Sequence, residues 1–134
     1  MEIASFADLL SAARAQPEPQ RLLFVFAGSE LPDDSTPAQR ERFSAGQGGA
    51  LTPLMCVDKT PDELDTFDTL VDESKQFGQA WAIVFVGSLA GMRGRVPTRE
   101  EADQPLQRMV ESIRAGAFGA YLPFNRQGEP VVLS

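Results

Sequence analysis

The chain has 134 residues, 43% hydrophobic and 23% charged, with a formal net charge of −7. That predicts one soluble domain over 1–134 and argues against a binder of nucleic acid or of acidic membranes, since both need a positive face. There is no histidine and one cysteine, which removes the usual general base, the commonest metal ligand, an intramolecular disulfide, a CxxC redox pair and a thiolate zinc cage.

The first five residues, Met1 to Ser5, carry no basic leader. The longest apolar runs fall far short of the ~20 residues a membrane-spanning helix needs. The expectation is a cytoplasmic protein with no membrane partner. Ser5 can cap a first helix, with Asp8 as a short version of the capping-box acid. Phe6, Leu9, Leu10 and Ala13 then share one face, and Pro17 stops the helix. Leu22 to Ala27 is continuously apolar and reads as a first strand covered on both faces. Thr36-Pro37-Ala38-Gln39 has the grammar of a helix start, with an end at Gly46.

Leu54-Met55-Cys56-Val57 is a shorter second strand, with Pro53 at its start or on an edge. Thr60-Pro61-Asp62-Glu63 repeats the capping grammar and predicts a helix over 61–77, with Leu64, Phe67, Leu70, Val71 and Ser74 on its apolar side. Trp81 to Val86 is a third strand. Thr98-Arg99-Glu100-Glu101 is another capping box, but a helix started there would enclose Pro105 and set its ring against the Glu101 carbonyl. The expectation is a turn at 98–102 and a helix from about 103, carrying Leu106, Met109, Val110, Ile113 and Ala117. Residues 120–124 and 130–133 flank Asn125 to Glu129 as a C-terminal hairpin, and Pro123 and Pro130 put it at a sheet edge.

Helices alternating with strands predict an α/β domain. The expected architecture is a mainly parallel sheet of about five strands, with helices on its faces and the hairpin adding one antiparallel strand. Charge is uneven along the chain. Residues 1–50 hold four basic and seven acidic side chains, 51–92 two and seven, and 93–134 six and five, all six being arginines. Only the last third has a basic balance.

From Ser5-Phe6-Ala7-Asp8-Leu9-Leu10, through Pro53 to Lys59, to Phe124-Asn125-Arg126-Gln127-Gly128-Glu129-Pro130, the chain resembles a family of small uncharacterised proteobacterial proteins. The resemblance covers nearly the whole length and brings no catalytic residues. Some relatives carry the label of a ribonucleotide reductase alpha subunit. Such an enzyme needs a radical cysteine, a reducing cysteine pair and a large barrel, and the lone Cys56 contradicts that label.

In a parallel sheet, ligands favour the crevice beyond the C-terminal strand ends. That rule selects the segment 87–95. Gly87, Gly91 and Gly94 would present bare N–H groups there, and Arg93 and Arg95, with Ser88 and Asp58, would grip a phosphate or carboxylate. The segment is neither a Walker A loop nor GxGxxG, and a flexible strand-to-turn connector with solvated arginines is the simpler reading. Asp33, Asp34, Asp58 and Lys59 suggest an acidic magnesium pocket but are poorly placed for one. Cys56 sits in an apolar strand with no histidine to activate it. No cofactor or metal is expected.

Three functions are consistent with these residues. The first is a non-catalytic interaction or regulatory module, meeting a second copy or another protein through the C-terminal hairpin. The second is an anion or small-molecule binder using 87–95. The third is a carboxylate- or metal-dependent enzyme.

Overall fold

The computed structural model describes residues 5–30, 36–38, 50–64, 66–76, 81–117 and 119–131. The elements in chain order are α1 (Phe6–Arg14), β1 (Gln20–Glu30), β2 (Ala50–Lys59), α2 (Phe67–Lys75), β3 (Ile83–Ala90), α3 (Arg99–Arg114) and β4 (Leu122–Phe124). None of these helices is long and apolar enough to cross a membrane. Of the helix expected after Thr36, only 36–38 are described, with Pro37 and Ala38 helical.

The sheet overturns the expected topology. Among the described residues it has four strands in the order β2-β1-β3-β4, and every neighbouring pair is antiparallel. β2 and β3 do run parallel to one another, but β1 lies between them. The continuous apolar runs that suggested a parallel sheet are real, and their cause is coverage on both faces. On one face Leu22, Phe24, Phe26, Val84, Val86 and Phe124 pack with α1, Leu64, Leu70 and Trp81. On the other, Leu23, Val25, Ala27 and Phe85 pack with Ala102, Leu106, Met109 and Ile113 of α3. A central strand with two covered faces must be apolar at every position, whichever way its neighbours run. Phe24, Val25 and Ala27 are fully buried. Each fully buried Phe or Val contributes about 1.5–3 kcal/mol.

The first face is aromatic. The Phe6 ring lies edge-on to Phe67 and Phe124, at 4.9 and 5.6 Å, and Phe26 meets Trp81 edge-on at 5.0 Å. The Trp81 indole N–H donates to Ser74 Oγ at 2.8 Å, which gives the buried ring its polar partner.

The caps explain the helix limits. Ser5 Oγ accepts from Asp8 N–H, and α1 ends ahead of Pro17 as expected. Thr60 and Glu63 exchange capping hydrogen bonds, yet 61–63 form only a turn, and α2 starts at Phe67 on a second cap, Thr66. α3 departs from expectation in the opposite sense. It begins at Arg99 with a complete capping box between Thr98 and Glu101, and Pro105 lies inside it. Starting there places Ala102 in the buried stripe with Leu106, Met109 and Ile113. That extra core layer and the two capping bonds outweigh the bond to the Glu101 carbonyl that Pro105 cannot make.

The C-terminal hairpin is present in reduced form. β4 has three residues, and Phe124 makes an isolated bridge to Pro130. Asn125 Oδ1 accepts from the N–H groups of Gln127 and Glu129, which closes the turn. Residues 132 and 133 of the expected second strand lie outside the described residues.

Candidate functional site

Three places gather chemistry or open surface: the charged end of β1 and β2, the hairpin following β3, and the outer edge of β2. Arg21 organises the first. It precedes the apolar run of β1, pairs across to Leu89, and is 7% exposed. Its Nε donates to the Pro97 carbonyl at 2.6 Å, and its Nη1 meets Asp58 Oδ2 at 2.7 Å and Glu63 Oε1 at 3.7 Å. The guanidinium thus ties β1, β2, the turn after Thr60 and the approach to α3 into one unit. Arg99 adds looser contacts, 3.6 Å to Glu63 and 4.0 Å to Asp58, from a side chain that is largely exposed. Such exposed pairs contribute little.

The hydrogen bond from the Thr60 backbone holds the Glu63 carboxyl below the ordinary range against partial desolvation, with the Thr60 hydroxyl, Arg21 and Arg99 assisting. Glu101 is lowered in the same way, by its bond to the Thr98 backbone. Beside this network a hollow of about 460 Å³ is rimmed by Asp58, Lys59, Glu73 and Arg99. Lys59 is already engaged, 2.9 Å from Glu73.

The segment 87–95 is built differently from a ligand loop. Gly87 and Ser88 belong to β3, opposite Leu23 and Leu22. A Cβ on Gly87 would come within 3.3 Å of the Tyr121 ring, so glycine here makes room for an aromatic. Met92 and Arg95 then bridge in a two-residue hairpin with Arg93 (φ 54°) and Gly94 (φ 77°) at its tip. Positive φ at both central residues is the backbone of a type I′ turn. Gly91 N–H donates to Pro19 O, and Gly94 N–H to Glu18 Oε2 at 2.8 Å. Two of the N–H groups expected to cradle an anion therefore already have acceptors within the chain.

Arg93 and Arg95 do share the hairpin, and Arg95 lies 3.5 Å from Glu101. Asp58 is engaged with Arg21 and Arg99 instead. The strand-end crevice that grouped these residues is a property of parallel sheets, and this sheet is antiparallel. Asp33 and Asp34 lie outside the described residues. Among the described residues no three or more Cys, Asp or Glu side chains converge on a metal position.

The two edges of the sheet differ. β4 is short, and Val131 N–H donates to its Pro123 carbonyl, so the outer side of β4 is partly occupied. β2 is ten residues long and pairs with β1 alone among the described residues. Its first half is guarded by Pro53 at an irregularity in the pairing opposite Phe26 and Ala27. Its second half, Leu54 to Lys59, contains no proline.

Cys56 lies in this half, opposite Val25 and so on the α3 side. Its side chain is exposed. Partial desolvation, then the carboxylates of Asp58 and Asp103, push the thiol above its ordinary pKa, so it is protonated and a weak nucleophile at neutral pH. Between β2 and α3 lies a hollow of about 290 Å³ lined by Cys56, Leu106 and Val110 and bordered by Asp103, Gln107 and Glu111, with Arg114 also on its wall.

Neither Arg21 as an organising group nor the β2 edge was singled out by the sequence. The available signal was a charge directly before one apolar run, Arg21 ahead of Leu22, and an opposite charge directly after another, Asp58 behind Val57. No family model, curated protein or solved structure matches the chain.

Proposed function

We propose that the protein is a non-catalytic interaction module whose contact surface is the outer edge of β2. The observation that carries this reading is the contrast between the sheet's two edges. An exposed edge strand presents unpaired N–H and C=O groups, a template for another chain, and proteins usually blunt it with short length, proline or free charges. β4 is short and meets residues 130–131. Among the described residues the second half of β2 has no such device. Its charges, Asp58 and Lys59, are held by Arg21 and Glu73 instead of standing as free gatekeepers. The expected surface therefore moves from the C-terminal hairpin to the opposite edge of the sheet. The charged end supports this reading as architecture, because Arg21 fixes the C-terminal end of β2 against the rest of the fold.

Sedimentation over a wide concentration range, paired with amide hydrogen exchange, tests it. Association, with a copy or with another protein, is expected to slow exchange of the amides between Leu54 and Lys59 and leave those of β4 unchanged. Protection confined to β4 and Val131 would move the surface back to the hairpin and overturn the β2 assignment. Turnover of a small molecule, abolished by one substitution, would overturn the non-catalytic reading.

A further inference from the structure

The hollow between β2 and α3 adds side-chain chemistry to the edge left unpaired among the described residues, and a proposal built on it rests on that edge being a contact surface. We propose that it binds an extended peptide segment of a partner protein, added as a strand beside β2, with basic, apolar and basic side chains at alternate positions.

A strand laid along β2 sends every second side chain toward α3, as Cys56 itself is sent. There the peptide meets Leu106 and the half-buried Val110, with Asp103 on one side and Glu111 on the other. Neither Asp103 nor Glu111 takes part in an ion pair among the described residues. The two are eight residues apart on one helix, which is ~12 Å at the α-helical rise. Four residues of extended chain cover ~13 Å and return to the same face. Arg99 reaches toward Asp58 while Asp103 to Arg114 line the hollow at Cys56, so α3 advances along β2, and two basic side chains four apart match the two carboxylates with the apolar side chain midway over Leu106 and Val110. Arg114, in the next turn beyond Glu111, ends the acidic run. A second copy fits less well. Added through its own β2, it would bring Asp58 and Cys56 to the α3 side, and neither is a base.

Cys56, the sole cysteine in the chain, reports occupancy. The probe is a labelled seven-residue peptide, blocked at both ends, with lysine at its second and sixth positions, leucine at its fourth and threonine elsewhere. Its controls carry glutamate for lysine, or move the second lysine by one position. The lysine peptide is expected to bind about tenfold or more tighter than either control by fluorescence anisotropy, and to slow maleimide alkylation of Cys56. In the double variant Asp103→Lys, Glu111→Lys, both substitutions being at exposed positions, the preference is expected to pass to the glutamate peptide. Each variant's alkylation is compared with its own free form, because the substitutions alter the thiol's surroundings.

Equal binding of the three peptides, binding that leaves Cys56 unprotected, or a preference that survives the charge reversal would each overturn the proposal. Hydrogen exchange separates this failure from that of the parent reading. If the peptide fails while association protects the β2 amides, only the peptide specificity falls. If β2 exchange never changes with concentration or partner, both fall.

Discussion

The segments Thr60–Glu63 and Thr98–Glu101 contain the same reciprocal hydrogen bonds, in which the Glu N–H donates to the Thr hydroxyl and the Thr N–H donates to the Glu carboxylate. Only the second starts a helix. Glu101 is followed by Ala102, within a helix of 16 residues whose buried stripe closes one face of the sheet. Glu63 is followed by Leu64, buried in the opposite core, and then by Thr66, which supplies its own cap and begins α2 afresh. A capping box satisfies orphan donors wherever the chain turns. It becomes a helix only if the residues after it have a face to bury.

Arg21 touches both segments, through the Pro97 carbonyl beside one and Glu63 within the other, so its loss is expected to have the largest effect. Arg21→Ala leaves Asp58 without its close partner and the Pro97 carbonyl without its donor. A loss of about 2–4 kcal/mol is expected in chemical denaturation. An effect inside about 0.5 kcal/mol, the usual range for surface changes, would show that the two segments are independent.

Next comes the pair Thr98→Ala and Thr60→Ala. The first removes a helix cap and is expected to cost about 1 kcal/mol, and the second, which loosens a single turn, about half that or less. Equal costs would mean that both boxes hold helices equally and would remove the distinction.

The smallest effect is a pH dependence. Glu63 and Glu101 have folded pKa values lowered by their capping bonds. Each therefore contributes stability that is complete above the unfolded value of ~4.3 and is lost as pH falls through the folded value. Titrating the unfolding free energy through this acid range should show a shallower decline in Glu63→Gln and Glu101→Gln than in the parent chain. An unchanged slope in both would contradict the assigned bonds.

Local grammar was legible in the sequence. The cap at Ser5, the burial of β1 and β3 on both faces, and the apolar stripe of α3 are consequences of residue pattern, whereas the box at Thr60 reads as a helix start yet closes only a turn, and the box at Thr98 reads as a turn yet starts α3. Strand direction was not legible, because coverage on two faces leaves the same run, Leu22 to Ala27, in parallel and antiparallel sheets alike. The start of α3 was misplaced for a related reason. The steric penalty of Pro105 is visible in sequence, while the core layer gained at Ala102 appears only once the sheet is in place. The proposed site lay furthest from view. Gly87 reads as offering a bare N–H to an anion yet serves as clearance for Tyr121, and the edge exposing Cys56 depends on which strands find partners.

The order β2-β1-β3-β4 also bears on how the chain is made. β1 occupies an interior position, yet Gln20 pairs with Ala90 and Leu22 with Ser88, so its second neighbour is synthesised long after it. During translation from the N-terminal end, a run apolar at every position lacks its second strand neighbour until about sixty further residues have been added, since Leu22 pairs with Ser88 and Ala27 with Ile83. Contacts this distant in sequence also slow folding. The same strand that anchors the finished molecule is thus its main aggregation hazard while nascent, and a polar replacement that eased production would have to avoid Phe24, Val25 and Phe26 altogether.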